Sequence, residues 1–182
     1  MNEENCINLS TTSNYLVQRW IGYTLSQSDS DWLIGVFKIN GIYEDKLGIP
    51  HQILNQSTLP RFYKTVDNTI KDTRRRTNLP NLKFIPFIGG DKILGINAHI
   101  HAFIEIPKIE KKWKLHDVLQ KNWTTYANRV FKDAEVINPV LWLQDLDKSR
   151  IGNHLSYCQR YEGSTFFKGT EKVLFECKSC LI

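Results

Sequence analysis

The sequence predicts an α+β fold, an antiparallel sheet packed with helices, and three observations carry that expectation. "DWLIGVFKIN" (31–40), "KFIPFIG" (83–89) and "GINAHIHAFIEIP" (95–107) are rich in β-branched and aromatic residues and read as strands. Segments 58–77 and 115–132 instead repeat apolar residues at helical spacing. The two kinds of segment interleave through 182 residues with short breaks and no internal repeat. That length suits one domain with a real core and is short for two.

The elements follow in order. Residues 1–28 form an N-terminal extension, in which "NYLVQRWIGYTL" (14–25) has the look of a short helix with Tyr15, Trp20 and Tyr23 partly buried. "LSQSDSD" (25–31) is loop-like, and the strand at 31–40, bounded by Asp31 and Asn40-Gly41, reads as central. Thr58 and Pro60 open a helix over 58–77 whose apolar stripe is Phe62, Val66 and Ile70, with Tyr63 beside it. "NLPNLK" (78–83) ends it. Two strands then follow, joined by a Gly-Gly-Asp turn, and Pro107 stops the second. Leu115, Leu119, Trp123, Tyr126 and Val130 stripe the next helix, "AEVINPVLWLQDL" (134–146) is strand material, and "SRIGNHLSYCQRY" (149–161) reads as a third helix. The tail "KVLFECKSCLI" reads either as a last strand or as a loosely packed end. A ferredoxin-like or RRM-like layout is the nearest to this order, with helices against one sheet face and the other face open to carry a site.

Composition excludes some classes. Apolar content of 41% with 24% charged residues is ordinary for a globular chain, and no apolar run approaches the roughly 20 residues of a membrane span. The start, "MNEENCINLSTTSN", is polar and acidic, unlike a secretory leader, which predicts a cytoplasmic protein. Cys177 and Cys180 have the spacing of half a zinc site, but no second pair completes it. With Cys6 and Cys158 they read as reduced thiols. The formal charge of +5 has an address: Arg61, Lys64, Lys71, Arg74, Arg75, Arg76 and Lys83 face only Asp67 and Asp72 within 61–83. Such a patch is the footprint of a phosphate-backbone binder or, equally, a solvated helix face.

His99 and His101 are the sharpest feature. Residues two apart on a strand point to the same side with Cβ atoms about 7 Å apart, so the two imidazoles project together and Ile100 points away. Neutral imidazoles arranged in this way can grip a divalent ion. His99-Ile100-His101 resembles the His-hydrophobic-His motif of the HUH endonucleases, which include rolling-circle replication initiators, relaxases and single-strand transposases. The resemblance implies an RRM-like sheet, Mg²⁺ or Mn²⁺ on the two histidines, and a tyrosine nucleophile on a helix.

"HLSYCQRYEG" offers that tyrosine. Tyr157, Arg160 and Tyr161 share a helical face, and Tyr157-Cys158-Gln159-Arg160 resembles the initiators' Tyr-x-x-Lys, with Arg in the Lys position. The resemblance implies that Tyr157 attacks phosphorus to give a 5′-phosphotyrosine and a free 3′-hydroxyl; Tyr161 is a second nucleophile or a core aromatic. A phenol with pKa near 10 needs a cation-rich site for this role. For the third metal ligand the candidates are Asp91 first, then Glu105, which lies about 13 Å along the strand from His101, and Asn97.

The tyrosine follows the histidines, the order of initiators and small transposases. The strand at 31–40 resembles the family's first motif, and the whole of 1–182 reads as one HUH endonuclease domain with its catalytic core at 31–165. No Walker-type phosphate loop appears, so no helicase domain is expected and a host helicase would do the unwinding. The expected function is metal-dependent nicking and joining of single-stranded DNA at a plasmid or phage origin, including one folded as a hairpin. The basic segment 61–83 would touch the backbone, and Trp113 and Trp123 would stack bases or fill the core. A small transposase, or an inactive RRM-like binder of single strands, are the alternatives.

Overall fold

The structure, a computed structural model, describes residues 19–44, 46–55, 57–79, 82–89, 98–106, 112–132 and 136–158. In chain order they form helix α1 (19–27), strands β1 (Asp31–Glu44) and β2 (Pro50–Gln52), α2 (Leu59–Thr77), β3 (Phe84–Gly89), β4 (His99–Ile106), α3 (Lys112–Val130), β5 (Val136–Asp145), a 3-10 turn (Lys148–Arg150) and α4 (Ile151–Cys158). The fold is α+β, as expected.

β1 is the spine of the sheet because it is long enough to pair on both edges. One edge carries β4, from Asp31↔Ile106 to Lys38↔His99, and the other carries β5, from Leu33↔Asp145 to Ile42↔Val136. β3 pairs with the outer edge of β4, and β2 folds back on the far end of β1. Every pairing is antiparallel, so the four main strands lie in the order β5-β1-β4-β3. β2 is an addition that the sequence pattern did not reveal; three exposed residues carry no apolar signal.

Strand parity divides the apolar residues into two cores. Leu33, Phe37 and Ile39 of β1, with Ile100, Ala102 and Ile104 of β4, face α2 and α3. Trp123 sits at the centre of this layer, fully buried. It meets Phe37 and Phe62 edge-on at 5.3 and 6.1 Å, and its Nε1 donates to the Val140 carbonyl at 3.1 Å. α2 carries a second, polar stripe of buried threonines, Thr65, Thr69, Thr73 and Thr77. Each hydroxyl donates to the carbonyl four residues earlier, and Asn122 of α3 donates to Thr73 Oγ1 at 3.0 Å. These short side chains leave no buried hydroxyl unsatisfied. α2 ends where Asn78 turns left-handed (φ 58°) and the Leu79 N–H closes onto the Arg74 carbonyl.

The opposite face is not left open, which corrects the expectation of helices on one face only. Ile21 and Leu25 of α1 and Ile151 and Leu155 of α4 pack over Trp32, Ile34, Ile85, Phe87 and Phe103. α1 is amphipathic enough to bury Ile21 and Leu25 fully, yet Tyr23 is exposed rather than partly buried. Among the described residues no helix is long and apolar enough to cross a membrane.

Candidate metal centre

β4 is buried along both faces, with His99 alone half-buried at its start. Its odd residues, His99, His101, Phe103 and Glu105, lie on the α1/α4 face. Those two helices cover the Phe103 end. At the histidine end Val36, Lys38 and His99 are half-buried and Trp142 is 48% exposed, so this half of the face is partly accessible, with His101 itself buried.

The two imidazoles converge. Their Nε2 atoms are 3.0 Å apart, the ring centroids 4.7 Å apart and the ring planes nearly perpendicular at 86°. Without a metal this spacing lets one ring nitrogen donate to the other. It is equally the spacing of two adjacent ligands: with metal–nitrogen bonds of about 2.1 Å, nitrogens this far apart subtend about 90°. Burial, and then the neighbouring His99, push the pKa of His101 down to about 4, so at neutral pH its ring is uncharged. A neutral imidazole is the form that ligates. The pair therefore fits a divalent cation.

Gly89 makes the convergence possible. It is the cross-strand partner of His99, whose ring lies directly over it. A Cβ on Gly89 would overlap the His99 Nε2 and approach Cε1 and Cδ2 to 2.6 and 2.8 Å. The glycine is required by close approach of a side chain.

Among the described residues no further expected ligand joins the pair. Glu105 shares the parity of the histidines but is buried, and Lys83 Nζ stands 3.2 Å from its Oε1. Among the described residues no group of three His, Cys, Asp or Glu is assembled. Asp91 and Asn97 lie outside the described residues, as do Arg160 and Tyr161. Tyr157 falls in the last turn of α4, where its side chain is outside the described set. Its helix, through Leu155, belongs to the cluster containing Phe87 and Phe103, the strand neighbours of His101. α4 and the imidazoles thus occupy one sheet face.

Apart from Lys83, which pairs with Glu105, the basic segment lies elsewhere. α2 packs on the opposite face, so Arg61, Lys64, Lys71, Arg74, Arg75 and Arg76 stand behind the sheet as viewed from the histidines. Several are engaged within the fold. Lys71 pairs with Asp67 at 2.8 Å, and both Nε and Nη2 of Arg74 donate to the Leu82 carbonyl. Arg75 and Arg76 clamp the buried Asp72. Burial alone would raise its pKa, but their hydrogen bonds hold its carboxylate below the usual range. Arg61 and Lys64 are exposed on the outer side of α2.

Trp123 is core, which settles its role as packing; the Trp113 side chain lies outside the described set. Three residues near the histidines carried no motif in the sequence: Gly89, Lys38 and Trp142. Parity offered a signal for the last, because Trp142 alternates with the core-facing Leu141 and Leu143. Comparison of the chain with protein-family models, with curated proteins and with solved structures gives no match.

Proposed function

We propose that this chain is a metal-dependent, tyrosine-nucleophile endonuclease of the HUH type, which nicks and rejoins single-stranded DNA to start rolling-circle replication of a plasmid or phage. The observation that carries the reading is the convergence of His99 and His101 at 3.0 Å on the accessible half of the sheet face where α4 also docks. The element order β1-α2-β3-β4-α3-β5 and the strand order β5-β1-β4-β3 support an RRM-like arrangement, in which two split β-α-β units share one antiparallel sheet.

In this reading His99 and His101 would hold Mg²⁺ or Mn²⁺, with Asp91 as the third ligand, and the ion would supply positive charge for a phosphate. Tyr157, losing its phenolic proton to solvent, forms the new O–P bond, the P–O3′ bond breaks, and the 3′ oxygen takes up a proton. The products are a 5′-phosphotyrosine and a free 3′-hydroxyl. The ester energy is kept, so the reverse attack rejoins the strand. In this reading Arg160 steadies the phosphate, and Tyr161 is the second candidate nucleophile. Arg61 and Lys64, on the outer side of α2, are suited to the backbone of DNA flanking the nick rather than to the strand at the histidines.

The test uses labelled single-stranded oligonucleotides tiling the DNA around the gene, incubated with the protein and Mn²⁺. A covalent protein–DNA adduct that disappears in Tyr157→Phe supports the proposal. Binding without any adduct makes the chain an inert single-strand binder. An adduct that persists in Tyr157→Phe and disappears in Tyr161→Phe moves the nucleophile.

A further inference from the structure

The accessible half of the histidine face extends beyond the two imidazoles. The cross-strand pairs put Trp142, Val36, His101 and Phe87 in one row on this face. Val140, Lys38, His99 and Gly89 form the next row, and Asn138 with Asn40 the one after. Strands are about 4.8 Å apart and residues two apart about 7 Å, so the Trp142 indole starts some 10 Å from the His101 backbone and Lys38 is the direct neighbour of His99. Trp142 exposes 48% of its surface, although it sits in a strand whose other face is core. Beyond Lys38, in the gap between β4 and β2, a cleft of about 720 Å³ opens at the edge of β1, lined by Lys38, Asn40, Asn138 and the acidic Glu44 and floored by core residues such as Ile53 and Ala98. That volume holds a nucleotide.

An exposed indole, a cation next to the metal pair and a cleft edged by two amides match the three parts of a nucleotide chain: base, phosphate and hydrogen-bonding base edge. We infer that single-stranded DNA runs along β1 and β5 beside the histidines, with Trp142 stacking one base and Lys38 contacting the phosphate adjacent to the one at the metal. The inference rests on the single-strand DNA reading above and adds to it the path of the strand and two binding residues. α2 does not supply this path, because it lies on the other face of the sheet.

Binding in EDTA separates this claim from cleavage. The probe is a fluorescein-labelled thymidine oligonucleotide of about 16 nucleotides, titrated by anisotropy over a range of salt. Trp142→Ala should weaken binding roughly tenfold or more while Trp142→Phe retains most of it, because the stacking surface and not the indole N–H is used. Lys38→Ala should weaken binding and flatten the salt slope by about 0.7, the loss of one single-strand phosphate contact. In an iodouracil-substituted oligonucleotide the photo-crosslink should map to Trp142. Circular dichroism and Tm of each variant check that the fold is kept. Unchanged affinity in folded Trp142→Ala and Lys38→Ala, crosslinks confined to α2, no binding by the wild type, or tighter binding of the matching RNA each overturns the inference. An adduct that forms normally in both variants would overturn it while leaving the nuclease reading intact. Loss of binding in both variants without any adduct would leave the path standing and remove the nuclease.

Discussion

Gly89 and His99 are partners across the β3–β4 ladder, and the His99 imidazole rests on the Gly89 backbone in the space where any other residue would have its Cβ. The placement of the His99 ring thus depends on a residue with no side chain at all. Gly89→Ala should push the His99 ring away from His101 and lower affinity for Mn²⁺ by roughly 10–100-fold, the usual effect of disturbing what orients a ligand. Titration calorimetry with Mn²⁺ measures this, and a Tm close to wild type shows that the fold is kept. Wild-type affinity in the variant would mean that the histidines do not hold the ion together.

The neutral state of His101 has a consequence for stability in the absence of metal. Its pKa falls from 6.5 in the unfolded chain to about 4 in the fold, so the unfolded state binds more protons between these values. Stability from this group is complete above pH 6.5 and is lost as pH falls toward 4. In EDTA, urea midpoints should therefore decline across that window by an amount on the order of 2–3 kcal/mol, and the decline should shrink in His101→Gln. A wild-type profile that is flat from pH 6.5 to 4 would contradict the buried, uncharged ring.

Asp72 gives a second acid-sensitive contact, on the other face. Its pKa is depressed by Arg75 and Arg76 against the effect of burial, so its contribution is present above the unfolded carboxyl pKa and disappears as pH falls through the folded value. Both guanidiniums are largely exposed and screened by solvent, which keeps the effect modest. Asp72→Asn should lower Tm at neutral pH by a few degrees and leave Tm near pH 2 unchanged. Equal losses at both pH values would show a packing effect instead of a charge effect.

Trp123 should behave as core. It contacts Phe37 and Phe62 and ties α3 to β5 through the Val140 carbonyl. Trp123→Ala should cost about 3–5 kcal/mol in chemical denaturation, while Trp142→Ala should cost under about 1 kcal/mol. The reverse order would mean that β5 presents its other face to the helices.

Much of the architecture was legible because the signals are local. β-Branched and aromatic enrichment bounded by turn residues marks 31–40, 83–89 and 95–107 as strands, and a period near 3.6 marks 58–77 and 115–132 as helices. Parity alone places His99 and His101 on one side of their strand, and the structure brings their Nε2 atoms to 3.0 Å. The boundaries moved little: the helix expected over 58–77 runs Leu59–Thr77, and the strand expected over 31–40 continues to Glu44.

Other facts depend on which strands pair and in what register, and no single segment encodes that. Phe62, Val66 and Ile70 announce that α2 has an apolar face, but not which side of the sheet receives it; packing put the arginine-rich helix behind the histidines. Leu155 could not by itself reveal that α4 would share the histidine face, nor Gly89 that an imidazole would lie over it. Trp142 and Lys38 are far apart in sequence and become diagonal neighbours only because β5 pairs with β1 in this register. By itself the sequence determined the main elements, β2 excepted, and the alternation of side chains within them, since those follow from local composition and backbone periodicity. The tertiary structure decided which faces meet, because burying apolar surface is a property of surfaces from distant segments brought together.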